Sequence, residues 1–273
     1  MENLSFLVGT FEQATEGWLS AALDAATGLF QRLAAIELVI FGLVVAVKAR
    51  GEGAAAVFPQ LIWKLFVIGM LFTGLLLYPL WIPVILESFA ALAGEITGTP
   101  TLNPVALAEQ GIALGMAVWF TASFSGWLVP NFFGGFVGSV AALGITLAFI
   151  AIAAILLKTQ IEAWIVVAAG PLFLGFAPFR WTATLADNFL AYAFEVAIKF
   201  FFLILLSSAA AGVALQWFNQ IQNAGTFNFQ LVLEILAGSI LLAVSLWTVP
   251  TRMADVLTRG LSFGLKQSLT EQG

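Results

Sequence analysis

Residues 161–179 read IEAWIVVAAGPLFLGFAPF, an apolar stretch flanked by Lys158 and Arg180 with Gly170-Pro171 at its centre. How it is read decides how many times the chain crosses a membrane. Proline lacks an amide hydrogen and its ring clashes with the carbonyl four residues back, so a helix is expected to break at Gly170-Pro171. Each half is about nine residues, about half a bilayer's hydrocarbon thickness at roughly 1.5 Å per residue. Both flanking cations favour the cytoplasmic side. A re-entrant or broken element fits these three facts. Non-helical backbone at that depth is tolerated only where it is buried in protein or lines a watery cavity.

The membrane assignment rests on composition. Of 273 residues 61% are hydrophobic and 9% charged, and the mean hydropathy is +1.03. A soluble domain is about a quarter charged, so this chain lacks the polar residues to cover a water-facing surface. There is no histidine and no cysteine. Ordinary zinc sites, disulfides and Ser/His or Cys/His catalysis are thereby excluded. No GxxxxGK[ST] loop is present. With a net charge of −5 and no basic cluster, sequence-independent DNA binding on an exposed surface is not expected. No catalytic residues, metal ligands or cofactor site are expected, though a bound phospholipid is compatible with such a chain. Glu2, Glu12, Glu16 and Asp24 precede the first basic residue, Arg32, where a cleavable signal would carry a positive n-region.

Residues 11–33 space Phe11, Trp18, Leu19, Ala22, Leu23, Ala26, Phe30 and others three and four apart, which predicts an amphipathic helix. It lies at the membrane surface, on the protein itself or on a partner. Apolar runs follow at about 33–47, 65–86, 132–157, 161–179, 190–217 and 230–250. Residues 48–60 read as a polar, small-residue turn, and 87–131 as a long connection with an interfacial helix at 105–120. Lys48, Arg50 and Lys64 mark the first connection as inside, whereas 87–131 carries Glu87, Glu95 and Glu109 and no Lys or Arg. Arg252, Arg259 and Lys266 place the tail inside. An outside N-terminus and an inside C-terminus require an odd number of crossings, yet six runs are visible, and 161–179 is the one that does not cross. On that topology nine of the ten basic residues are inside, Arg32 excepted. The competing solution lets 161–179 cross and makes 105–129 a seventh span.

The expected fold is therefore all-α and polytopic, with about five transmembrane helices, a re-entrant or broken helix and an N-terminal amphipathic helix. Residues 1–32 form the periplasmic amphipathic helix, 33–86 the first two spans and 87–131 a periplasmic loop. Residues 132–250 form the membrane core and 251–273 a cytoplasmic tail.

Few polar residues interrupt the runs. Glu195 and Lys199 are four apart in the favourable order, and read either as a conduit lining or as an interfacial salt bridge with Lys199 snorkelling. Glu37 and Glu234 each stand alone in an apolar run near the outer boundary. Each is a proton-relay or inter-helix carboxylate, or an ordinary headgroup-level one. Gly134 (with Gly135) and Gly138, and Gly111 and Gly115, have the small-xxx-small spacing of closely packed helices, within a chain or between subunits. The tryptophans mostly sit near span ends as interface anchors.

The stretch 164–206, WIVVAAGPLFLGFAPFRWTATLADNFLAYAFEVAIKFFFLILL, resembles the central signature of TrbL-type inner-membrane subunits of type IV secretion and conjugation systems. The features that match are the Gly170-Pro171 turn, then Phe179-Arg180-Trp181-Thr182, then a Phe/Leu-rich span. The resemblance implies a platform or channel component at the inner membrane, forming a homo-oligomeric ring that supports pilus assembly and passage of DNA–protein or effector substrates. The partners it implies are pilin and minor pilin, the secretion ATPases, the bitopic inner-membrane components, the lipid bilayer and, transiently, the substrate. Many relatives have a longer outer loop or a polar C-terminal extension. The main alternative is a stand-alone secondary transporter or ion channel. A transporter commonly repeats its broken helices in corresponding halves, and the Pro79/Pro83 pair occupies no matching place.

Overall fold

In hydrocarbon a backbone must satisfy its own hydrogen bonds, which leaves long helices as the one solution for runs of Leu, Ile, Phe and Ala such as these. A computed structural model describes residues 2–52, 54–98, 103–124, 132–261 and 264–265. Among them the chain forms seven α-helices and no strand: α1 (Glu2–Glu52), α2 (Ala54–Leu76), α3 (Tyr78–Thr97), α4 (Pro104–Phe124), α5 (Phe132–Leu174), α6 (Ala183–Ala224) and α7 (Phe229–Thr258). All seven are long and apolar enough to cross a bilayer. This is an all-α polytopic membrane protein, with two more helices of spanning length than the expected five crossings.

The helices stop where local chemistry stops them. Gly98 and Gly225 take positive φ just past the ends of α3 and α6, the left-handed conformation that glycine adopts without steric cost. Asn103 caps α4, its side-chain oxygen accepting from the Val105 and Ala106 amides at 3.0 and 3.3 Å, with Pro104 in the first helical position. Asn228 does the same for α7 through the Leu231 amide.

Several boundaries differ from those expected. The amphipathic helix at 11–33 and the run at 33–47 are one helix, α1. The polar turn expected at 48–60 is mostly helical, because Ala54-Ala55-Ala56 favours helix and Pro59 is accommodated early in α2. The run 65–86 is divided at Leu77, since Pro79 has no amide to give the preceding turn. The indole of Trp81 donates to the Gly74 carbonyl at 2.9 Å and so satisfies an acceptor at that break. Residues 105–120, expected at the interface, belong to α4, whose segment Pro104–Ser123 is of spanning length and hydropathy.

The largest difference concerns 161–179. The helix continues through Lys158 and through Gly170-Pro171 and ends at Leu174. Between Gly144 and Gly170 there is no glycine or proline. Pro171 falls in the last turn, where it forfeits one hydrogen bond rather than a helix. The reversal comes at 175–182, closed by Gly175 and Ala177 amides bonding to Pro171 and Leu174 carbonyls at 2.9 and 3.0 Å.

Two compact units make up the chain. One consists chiefly of Ser88–Gln160 and Ile198–Val256, around Leu114, Ile145, Phe149, Ile152 and Ile235. In it Gly111 and Gly115 of α4 lie against Phe149, Thr146 and the Ala142 carbonyl of α5, while Gly138 of α5 meets Ala122 of α4. The small-xxx-small spacing thus brings two helices of this chain together. Gly134 is half-buried at the start of α5. The other unit consists chiefly of Gly9–Glu87 and Ile161–Ala197, around Phe30, Ile68, Leu75, Tyr78, Ile82 and Phe189. Outward faces are apolar, among them Ile62, Phe66 and Met70 of α2 and Leu143 and Leu147 of α5. Exposed apolar faces of this kind are ones that a membrane or a partner subunit covers.

Candidate functional site

Glu37 of α1 is completely buried, and an isolated charge there would be too costly to retain. It is met from two sides. Lys64 of α2, itself 5% exposed, donates from Nζ to Oε1 at 2.6 Å. Arg180, in the 175–182 turn, donates from Nε to Oε1 and Oε2 at 3.0 and 3.3 Å, and its backbone amide donates to Oε2 at 3.4 Å. The Lys64 ammonium also lies 5.7 Å from the centre of the Phe41 ring, one turn along α1 from Glu37, a cation–π distance. One carboxylate therefore ties α1, α2 and the α5–α6 turn together.

The rest of the turn is shaped to present Arg180. The Thr182 hydroxyl donates to the Phe176 carbonyl at 2.8 Å and approaches that of Phe179 at 3.3 Å. Phe179 and Trp181 pack edge to face at 5.1 Å. Gly175 is seated against the Ala26 carbonyl of α1, 3.0 Å from where a Cβ would be. All four residues of Phe179-Arg180-Trp181-Thr182 thus take part in one local structure, with Trp181 facing outward.

Gly170 and Pro171 lie just before this turn, in α5. A side chain on Gly170 would run into the Tyr78 hydroxyl and the Phe189 ring. Tyr78, fully buried, donates to the Val166 carbonyl at 2.5 Å and so pins α3 to α5 one turn before the proline. Tyr78→Phe is expected to destabilise the protein by about 1 kcal/mol, the net worth of one neutral hydrogen bond. The fold is retained because the ring still packs. A melting curve in detergent checks this.

The other candidate residues fall elsewhere. Glu195 and Lys199 are both half-buried on α6. Glu234 is exposed on α7 and accepts from the Gln230 amide at 3.0 Å. Glu37, placed by the sequence reading near the outer boundary, is level with Lys64 and Arg180, both assigned to the inner side. An ion pair of under 3.1 Å leaves no room for a membrane between its members. Lys64 and Tyr78 were legible only weakly. A lysine with apolar neighbours on both sides in LIWKLF is a signal for a buried partner as well as a topology marker.

Fold and site define a class: a polytopic helical membrane protein in which one buried carboxylate bonds two cations, one on a helix and one in a turn. The comparison with known families is specific. Residues 34–249 match the model of the TrbL/VirB6 plasmid conjugal transfer proteins, and the chain belongs to that family. It is 25% identical over 245 residues to the "Probable conjugal transfer protein TrbL" of Sinorhizobium fredii, covering 89% of this chain and 60% of that protein. It is 24% identical over 262 residues to the "Conjugal transfer protein TrbL" of Rhizobium radiobacter, covering 96% of this chain and 64% of that protein. The chain thus spans under two thirds of the length of these relatives.

Proposed function

We propose that the protein is an inner-membrane platform or channel component of a type IV secretion (conjugation) system, supporting pilus assembly and outward passage of DNA–protein or effector substrates. The observation that carries this reading is the family match over 34–249, a span that contains Glu37, Lys64 and Arg180. The role is structural rather than catalytic. The Lys and Arg bias puts the N-terminus in the periplasm and the C-terminus in the cytoplasm. The partners are other secretion components: pilin and minor pilin, the ATPases and the bitopic inner-membrane subunits, with this chain repeated in a ring. The Glu37 cluster, which ties α1, α2 and the α5–α6 turn together, supports a structural role.

Deleting the gene from the element that carries it is expected to abolish donor-side transfer in a mating assay. Expression of the intact chain in trans is expected to restore it, and Glu37→Gln to restore little. Unchanged transfer in the deletion strain would remove the secretion reading in favour of a stand-alone transporter or channel.

A further inference from the structure

We propose that Arg180 binds the phosphate of an anionic phospholipid, making the 175–182 turn a lipid-headgroup site. At this junction one carboxylate is shared between two cations. Arg180 uses its backbone amide and Nε on Glu37. Neither Nη meets an acceptor among the described residues, and the side chain is 23% exposed. The free end of a guanidinium is a planar fork of donors that matches a phosphate with two parallel hydrogen bonds. A cation held at membrane depth is strongly favoured to recruit an anion there.

The surroundings favour lipid over protein as the source of that anion. Trp181, beside Arg180, is 70% exposed, and Trp63, beside Lys64, is 45% exposed. Indoles next to cations at a span end mark the headgroup level. Lys64 stands at the very start of the apolar run at about 65–86, and the bonds to Glu37 put Arg180 at the same level. Basic positions between helices at that level are where acidic headgroups bind. An acidic peptide would satisfy Arg180 equally but would give no reason for two outward indoles flanking the cations.

The test uses the whole chain in nanodiscs, either of phosphatidylcholine alone or with one part in four phosphatidylglycerol, read by native mass spectrometry and thermal melting. The wild type is expected to retain phosphatidylglycerol and to melt higher in its presence. Arg180→Gln, which leaves the Glu37–Lys64 pair intact, is expected to lose that retention about tenfold, the worth of one charge-assisted hydrogen bond. Arg180→Lys, which keeps charge but not the fork, is expected to fall between. A wild type with no preference for phosphatidylglycerol overturns the proposal without recourse to any variant, as does equal retention by wild type and Arg180→Gln. Inorganic phosphate in detergent raising the melting point as much as phosphatidylglycerol would show a free-anion site instead. Loss of self-association in Arg180→Gln with lipid retention unchanged would assign the fork to a carboxylate of a second copy.

Discussion

Glu37→Gln is expected to lower stability by about 3–5 kcal/mol, the cost of removing one member of a buried ionic cluster. The reason is asymmetry. With Glu37 gone, Lys64 and Arg180 face each other with no carboxylate between them, and Lys64 is almost wholly enclosed. Removing either cation is much milder, because Lys64→Gln leaves a Glu37–Arg180 pair and Arg180→Gln leaves a Glu37–Lys64 pair. The order of melting temperatures in detergent should therefore be wild type, then either cation variant, then Glu37→Gln far below. The double variant Glu37→Gln/Lys64→Gln should recover part of the loss, since it removes one of the two cations left beside the missing carboxylate. A cluster that merely decorated the surface would show three small and equal effects.

Gly111→Leu should damage the other unit comparably. A Cβ at that position falls on the Cβ and ring base of Phe149, which are attached to the α5 backbone and cannot swing aside. The helices must separate, and overpacking of this kind costs about 1–3 kcal/mol or more. Gly115 reports on the same seam, because its neighbours include the Ala142 carbonyl. Phe149→Gly in the Gly111→Leu background, which removes the Cβ that the new side chain would meet, is expected to recover part of the folding yield. Gly69→Leu, with open space around it, is the control and should behave as wild type in yield and melting temperature.

Much of this architecture is legible in the sequence. Composition alone demanded a helical membrane protein, and of the glycine pairs 111/115 and 134/138, Gly111, Gly115 and Gly138 lie where α4 and α5 pack closely. The run 164–206, Trp164 to Leu206, also drew attention to the right turn. Its geometry was harder to read. Gly170-Pro171, at the centre of 161–179, reads as the break of a re-entrant element, whereas the helix tolerates Pro171 and reverses four residues later. Hydropathy could not detect that, because one lost hydrogen bond is a smaller effect than the packing of Val166, Leu174 and Phe189 that carries the helix through. The ion cluster was less legible still. Glu37 and Arg180 are 143 residues apart, and no local pattern links residues so distant. Each cation, taken alone, read as a marker of sidedness.

The spacing of that cluster also bears on how the chain is made. Glu37 and Lys64 are separated by 27 residues and stand on consecutive helices, α1 and α2. They can neutralise each other as soon as α1 and α2 have left the ribosome, so neither charge enters the bilayer alone. Arg180 is synthesised more than a hundred residues later and docks onto a pair already formed. The pair between α1 and α2 is thus complete before the arginine that finishes the junction arrives with the α5–α6 turn.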